Sequence, residues 1–256
     1  MAGPPVASER QQRWVVWMLA WVAGCVDAVG YLTLLRLFTA HLSGISVEAG
    51  IRAGEQDWVG LLERAAPVPL LVVGVVLGLV LTEVAGRMGA RSPMALVVAL
   101  EAALLVVPIV AGTALLGDGV VAAGSAWQLY VLAPPLVLAM GLQNATLRGV
   151  GPYAVRTTFI TGMLTSVADE LARRVFALYD ERRGGPLAGR ARATPRGLTL
   201  FGGIYAAFVL GAIAGGLGQQ HWGVRTLAGP VGVLIAVVFL DRWRPCATRI
   251  LQPPPR

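Results

Sequence analysis

Asp27 stands inside a long apolar run, three residues after Gly24 and directly before Ala28. A second apolar run repeats the arrangement as Gly141-Leu142-Gln143-Asn144-Ala145. Ser43-Gly44 follows the Asp by 17 residues (44 − 27), and Thr161-Gly162 follows the Asn by 18 (162 − 144). A carboxylate or amide in hydrocarbon is expensive. Such groups face a bundle interior, pair with one another, or mark the path of an ion or solute. Helical spacing places Gly24, Asp27, Ala28 and Tyr31 on one face, and Gly141, Asn144 and Arg148 on another. Asp27 could relay a proton or cation or hydrogen-bond a solute, whereas a bond to a neighbouring helix would serve structure alone. Gln143 and Asn144 offer amides for a polar solute or for bonds between helices. Asp27 facing Asn144 would make a central site.

The remaining chemistry-bearing residues are fewer. His41 lies close to Ser43 and Ser46, but no Gly-x-Ser-x-Gly turn accompanies them and no acid stands at a recognisable spacing, so nucleophilic catalysis is not indicated and no enzyme is expected. His41 and His221 are the two histidines, which provides no metal-ligand cluster, and no cofactor is expected. Thr157, Thr158, Thr161 and Thr165 supply hydroxyls that commonly cap or back-bond to helices. Helices beginning after Ser43-Gly44 and Thr161-Gly162 would turn backbone N–H groups toward an anion. Glu101 falls about eight residues inside a third apolar run, where a pairing with Arg36 or with backbone would account for it. Glu83 and Asp241 stand near helix ends, from which such groups reach water.

The elements holding these residues follow from composition. Of 256 residues 56% are hydrophobic and 14% charged, with mean hydropathy +0.68, against roughly a quarter charged in soluble domains. The net charge of +7 comes from Arg alone, since the chain has no Lys. The arginines cluster at the ends of apolar runs, a membrane pattern rather than a nucleic-acid-binding face. Two cysteines do not make a disulfide framework. Val22-Ala23-Gly24-Cys25 looks like a lipoprotein cleavage box, but the apolar run continues past it, which predicts a retained first helix.

A helix crosses the hydrocarbon core in about 20 residues. Six runs meet or approach that length: 14–38, 66–86, 93–116, 127–147, 198–218 and 226–241. Of the 21 arginines, 17 fall at the two termini or in the second and fourth connections, which puts both termini and those connections on the cytoplasmic side. Three spans per half is an odd number, so the halves, 14–117 and 118–243, enter the membrane from opposite sides as inverted repeats. Residues 1–13 and 244–256 form cytoplasmic tails. Segments 38–54 and 153–176 read as half-inserted or interfacial helices. The latter continues into an amphipathic cytoplasmic helix over 168–183, followed by a basic Gly/Pro linker over 184–196. Pro134-Pro135 predicts a kink or break. Gly74-x-x-x-Gly78 and Gly211-x-x-x-Gly215 are close-packing faces, suited to a homodimer without requiring one.

With Gly24–Ala28, Phe38-Thr39-Ala40-His41-Leu42-Ser43-Gly44-Ile45, Gly141–Ala145 and Thr157-Thr158-Phe159-Ile160-Thr161-Gly162, the chain resembles the YoaK-like family of bacterial inner-membrane proteins, whose function is undefined. The resemblance covers nearly the whole chain and implies a multi-span membrane protein. Ser43-Gly44-Ile45 stands where the family usually has Thr-Gly-Asn.

The expectation is an all-α integral membrane protein of six spans, without cofactor, metal or nucleic-acid partner, embedded in the inner-membrane bilayer. It would act as a secondary transporter or facilitator of a small polar or anionic solute, with a proton as candidate coupling ion at Asp27. The alternative is a membrane scaffold or regulatory protein whose basic 165–196 segment binds a partner or anionic lipid. Candidate site residues are Gly24, Asp27, His41, Ser43, Gly44, Glu101, Gln143, Asn144, Thr158, Thr161 and Gly162.

Overall fold

The computed structural model describes residues 7–34, 36–116, 126–183 and 195–246. The turn expected at Gly117-Asp118-Gly119 and nearly all of the 184–196 linker fall outside these residues. In chain order the elements are α1 (Glu9–Thr33), α2 (Leu42–Gly54), α3 (Trp58–Ala65), α4 (Pro67–Arg87), α5 (Pro93–Leu116), α6 (Ala126–Ala145), a two-strand hairpin of β1 (Gly149–Val150) and β2 (Tyr153–Ala154), α7 (Ile160–Arg183), α8 (Pro195–Trp222), a 3₁₀ turn (Gly223–Leu227) and α9 (Ala228–Trp243).

Helix α1 opens with Ser8, whose Oγ accepts from the Gln11 N–H at 3.3 Å, and is the central helix: Val15, Val16, Leu19, Val22 and Val26 are fully buried. It ends five residues before the predicted limit (38 − 33), where the chain turns through Arg36 at φ 61. Asp27 therefore lies near the end of α1 rather than at mid-span. The predicted breaks also move slightly. Ser43-Gly44 and Thr161-Gly162 sit inside the first turns of α2 and α7, and α6 carries Pro134-Pro135 without a break in its assignment.

Small residues set the packing. A β-carbon on Gly211 would lie 2.0 Å from the Trp21 carbonyl oxygen, and one on Gly215 would lie 2.6 Å from that of Cys25, so α8 runs against α1 in the same direction. In the same way Gly74 abuts Leu138 and Gly78 abuts Leu142, which makes α4 and α6 parallel neighbours. Helix α5 begins beside the end of α9, where the Ala95 N–H donates to Asp241 Oδ2 at 3.0 Å, and its Gly112 meets Val224 in the 3₁₀ turn before α9. Gln11 and Gln12 at the start of α1 donate to the Arg244 and Cys246 carbonyls at 3.0 and 3.2 Å. The starts of α1, α5 and α8 and the ends of α4, α6 and α9 thus share one end of the bundle. That end carries Arg10, Arg13, Arg87, Arg91, Arg148, Arg242 and Arg244, and is called the basic end here. Helices α2 and α3 occupy the opposite, far end.

The outward faces are apolar: Val72, Val76 and Val80 of α4, Val106 and Val110 of α5, Leu210, Ile213 and Leu217 of α8, and Phe239 of α9 are exposed. Four helical segments of the described residues are long and apolar enough to cross a membrane: Glu9–Thr33, Trp58–Arg87, Pro93–Leu116 and Arg196–Trp243. The last contains both α8 and α9.

Candidate functional site

Asp27 is 3% exposed and its carboxylate is fully engaged. Its Oδ1 accepts from the Thr39 N–H and Thr39 Oγ1 at 2.8 Å and from the Ala40 N–H at 2.9 Å, while its Oδ2 is bonded to His41 Nδ1. The Asp therefore ties the end of α1 to the segment that starts α2. With Nδ1 committed to the carboxylate, the imidazole Nε2 is left for other chemistry. The hydrogen bond that His41 donates to Asp27, working against partial burial, raises the His41 pKa above its ordinary value. The ring is held edge-on by Phe38 and Phe208, each with centroids 5.6 Å from it.

His41 forms part of the wall of a cavity of about 630 Å³ between α1, α2 and α8. Five predicted site residues line it together: Gly24, Asp27, His41, Ser43 and Gly44. Ala28 and Tyr31 join them from the predicted face of α1, and Leu32, Phe38, Phe208 and Ala212 complete the lining. A side chain on Gly44 would meet nothing within 4 Å. The volume falls in the range of small-molecule sites, and the lining is largely apolar with a few convergent polar groups, as in such sites generally.

The other matched segment forms a separate cluster at the basic end. Gln143 Nε2 donates to the Leu19 carbonyl at 2.8 Å and to Thr157 Oγ1 at 2.9 Å, and Thr158 Oγ1 donates to Asn144 Oδ1 at 2.5 Å. Thr161 and Gly162 follow in the first turn of α7, their carbonyls accepting from Thr165 and Ser166. Asp27 and Asn144 are therefore not brought together. Each bonds to the segment that follows it, toward opposite ends of the bundle.

Glu101 is wholly buried in α5, and neither carboxyl oxygen has a hydrogen-bond partner, so the expected pairing with Arg36 or backbone is not made. Arg36 is exposed at the turn after α1. Asp241 does not reach water either. It is 0% exposed and accepts from Ser92 Oγ at 2.5 Å, the Ala95 N–H, and the Cys246 N–H at 2.7 Å, capping the start of α5. Phe208 and Ala212 were missed because they come from α8, about 180 residues from Asp27 (208 − 27). The neighbouring Gly211-x-x-x-Gly215 face was their one sequence signal. Thr39 was visible only as part of the motif around His41.

An apolar outer surface, buried polar clusters and several helices of spanning length define a polytopic transmembrane protein. The chain belongs to the family described as "Protein of unknown function (DUF1275)", whose model matches residues 15–240. It is similar to the UPF0700 transmembrane protein YoaK of Bacillus subtilis (strain 168), 26% identical over 163 residues that cover 62% of this chain and 67% of that protein. No solved structure matches the chain.

Proposed function

We propose that the protein is a six-span carrier of two inverted halves that moves a small polar or anionic solute across the bacterial inner membrane, with protons as the coupling ion. The observation that carries this reading is the cavity at the far end, into whose wall Asp27 fixes His41. A titratable imidazole beside an aromatic-walled pocket can bind a solute and a proton at the same place.

Inversion draws support from a recurring offset. Adding 117 to Gly24, Asp27, Ala28 and His41 gives Gly141, Asn144, Ala145 and Thr158. The Asp27–His41 bond then corresponds to Asn144–Thr158. The contacts of Gly215 with the Cys25 carbonyl and Ala28 correspond to those of Gly78 with the Leu142 carbonyl and Ala145. Each half's first helix packs on a helix of the other half, and the two copies end at opposite ends of the bundle, as in inverted-repeat carriers. The arginine excess makes the basic end cytoplasmic, with both chain termini there. Helix α2 lies at the outer face, outside the spans, and α7 lies along the cytoplasmic surface with Leu164, Leu171, Val175 and Leu178 exposed.

The reading is of transport rather than catalysis. Reconstitution in liposomes with a pH-sensitive dye inside tests it: solute-dependent acidification should appear with the native chain and be lost in His41→Gln. A protein that carries no solute-linked proton flux, yet loses its cellular role only when Arg173, Arg174, Arg182 and Arg183 are neutralised, would instead be the scaffold that exposed α7 would suit.

A further inference from the structure

The carrier reading leaves the solute's chemistry open, and the two ends of the bundle narrow it. At the far end, Asp27 already accepts from Thr39, Ala40 and His41, four bonds in all, which leaves it committed to its own chain rather than to a cation. Besides Asp27, the polar residues of the lining are His41, Ser43 and Tyr31, set among Leu32, Phe38 and Phe208. When protonated, the imidazole is a donor at Nε2. A solute that satisfies this wall needs an acceptor head and an apolar body.

The basic end presents the same demand independently. By the 117-residue offset, Arg148 stands where Tyr31 lines the outer cavity, four residues after Asn144. The short hairpin brings Arg156 back beside Arg148, with the Val155 N–H donating to the Arg148 carbonyl at 3.1 Å. Partial burial and, after it, the charge of Arg148 hold the Arg156 guanidinium below its ordinary range. Glu9 approaches the tip of the hairpin at Gly151, but neither arginine forms an ion pair with any carboxylate among the described residues. Two arginines within electrostatic reach of one another, with no ion pair among the described residues, can receive a carboxylate or phosphate.

From these two ends, and resting on the carrier reading above, we infer that the solute is a small organic carboxylate with an apolar, ring-sized body, received at His41 from outside and handed to Arg148 and Arg156 inside. On leaving His41 the carboxylate takes the Nε2 proton, crosses as the neutral acid and gives the proton up to water at the basic end, while the Asp27–imidazole pair is left as it was before binding. The Gln143–Leu19, Gln143–Thr157 and Asn144–Thr158 bonds tie α6 to α1 and to the segment before α7, between the cavity and the arginines. Breaking them while the outer cavity shuts would exchange the two accesses.

Benzoate, with benzamide as its neutral isostere, is the probe. Purified protein in detergent should be stabilised by benzoate and not by benzamide, and His41→Gln should weaken benzoate binding at least tenfold. In inside-out membrane vesicles the Arg148→Gln/Arg156→Gln protein should show a KM for benzoate raised at least tenfold. Equal stabilisation by benzamide would overturn the carboxylate assignment while leaving a carrier of neutral solutes standing. Benzoate binding that depends on His41 without any flux would overturn the carrier reading and keep the outer site. If the double variant leaves the inside-out KM unmoved and alters stability only in vesicles containing phosphatidylglycerol, the two arginines hold a lipid headgroup and the inner station is wrong.

Discussion

His41 Nδ1 is bonded to Oδ2 of Asp27, fourteen residues before it, and Thr158 is bonded to Asn144 across the same fourteen residues. The interval is long enough for a helix to end, turn and start a new element, so each bond staples a span to the segment that follows it. In one half the staple is a carboxylate and an imidazole, in the other an amide and a hydroxyl. Only the first can change its charge near neutral pH.

Removing the first staple has a stability cost. Asp27→Ala leaves the Thr39 and Ala40 N–H groups and the Thr39 hydroxyl without their acceptor, at a loss on the order of 3 kcal/mol. Asp27→Asn keeps one carbonyl oxygen for them and should lose less than half as much. Tryptophan-monitored thermal unfolding in detergent would read both, and equal losses would contradict this account of Oδ1.

The pH dependence has a definite sign. Because the folded-state pKa of His41 is raised, its contribution to stability is fully present below the unfolded value of about 6.5 and is lost as pH rises through the folded value. Thermal stability should therefore fall as pH rises above about 6.5, by an amount that His41→Gln abolishes. A native profile that rises with pH over that window would contradict it.

Glycine contacts between helices separate two kinds of position. An alanine methyl at Gly24 would lie 2.0 Å from the Phe208 carbonyl oxygen, and one at Gly141 would lie 2.6 Å from that of Leu71. Each substitution should destabilise by about 1–3 kcal/mol through overpacking. Gly202 and Gly216 have nothing within 4 Å, so alanine there should be neutral or mildly stabilising, since it favours helix by up to about 1 kcal/mol. Differential unfolding of the four variants decides the matter.

Glu101 behaves oppositely to Asp27. Its oxygens have no partners to lose, so Glu101→Leu should leave stability unchanged or raise it by about 1–2 kcal/mol. A marked loss in the melting curve would show that the carboxyl is bonded after all.

Much of the fold was legible because lipid imposes length. The run 93–116 coincides with α5 (Pro93–Leu116), since a proline can begin a helix and about 20 apolar residues must follow to span. The end of α1 was misplaced because hydropathy does not register a left-handed turn at Arg36. At the site, the matched polar segments were visible, and so was the face of Gly24, Asp27, Ala28 and Tyr31, since helical spacing determines which residues point the same way. Which group each polar residue would meet was not. Asp27 could be paired on paper with Asn144, but the depth at which a helix ends decides that it meets Thr39 and His41 instead. Asp241 was read as reaching water from a helix end, whereas the start of α5 packs over it and uses it as a cap.

The central claim is that two halves of one design open at opposite faces of the membrane, and side-specific labelling of Gly44→Cys and Thr161→Cys tests it most directly. Both positions are exposed, while the native Cys25 and Cys246 are buried and leave a quiet background. A membrane-impermeant maleimide should label Gly44→Cys in intact cells and Thr161→Cys in inside-out vesicles, each without the other. Labelling of both from the same side would contradict the inversion and the carrier built on it.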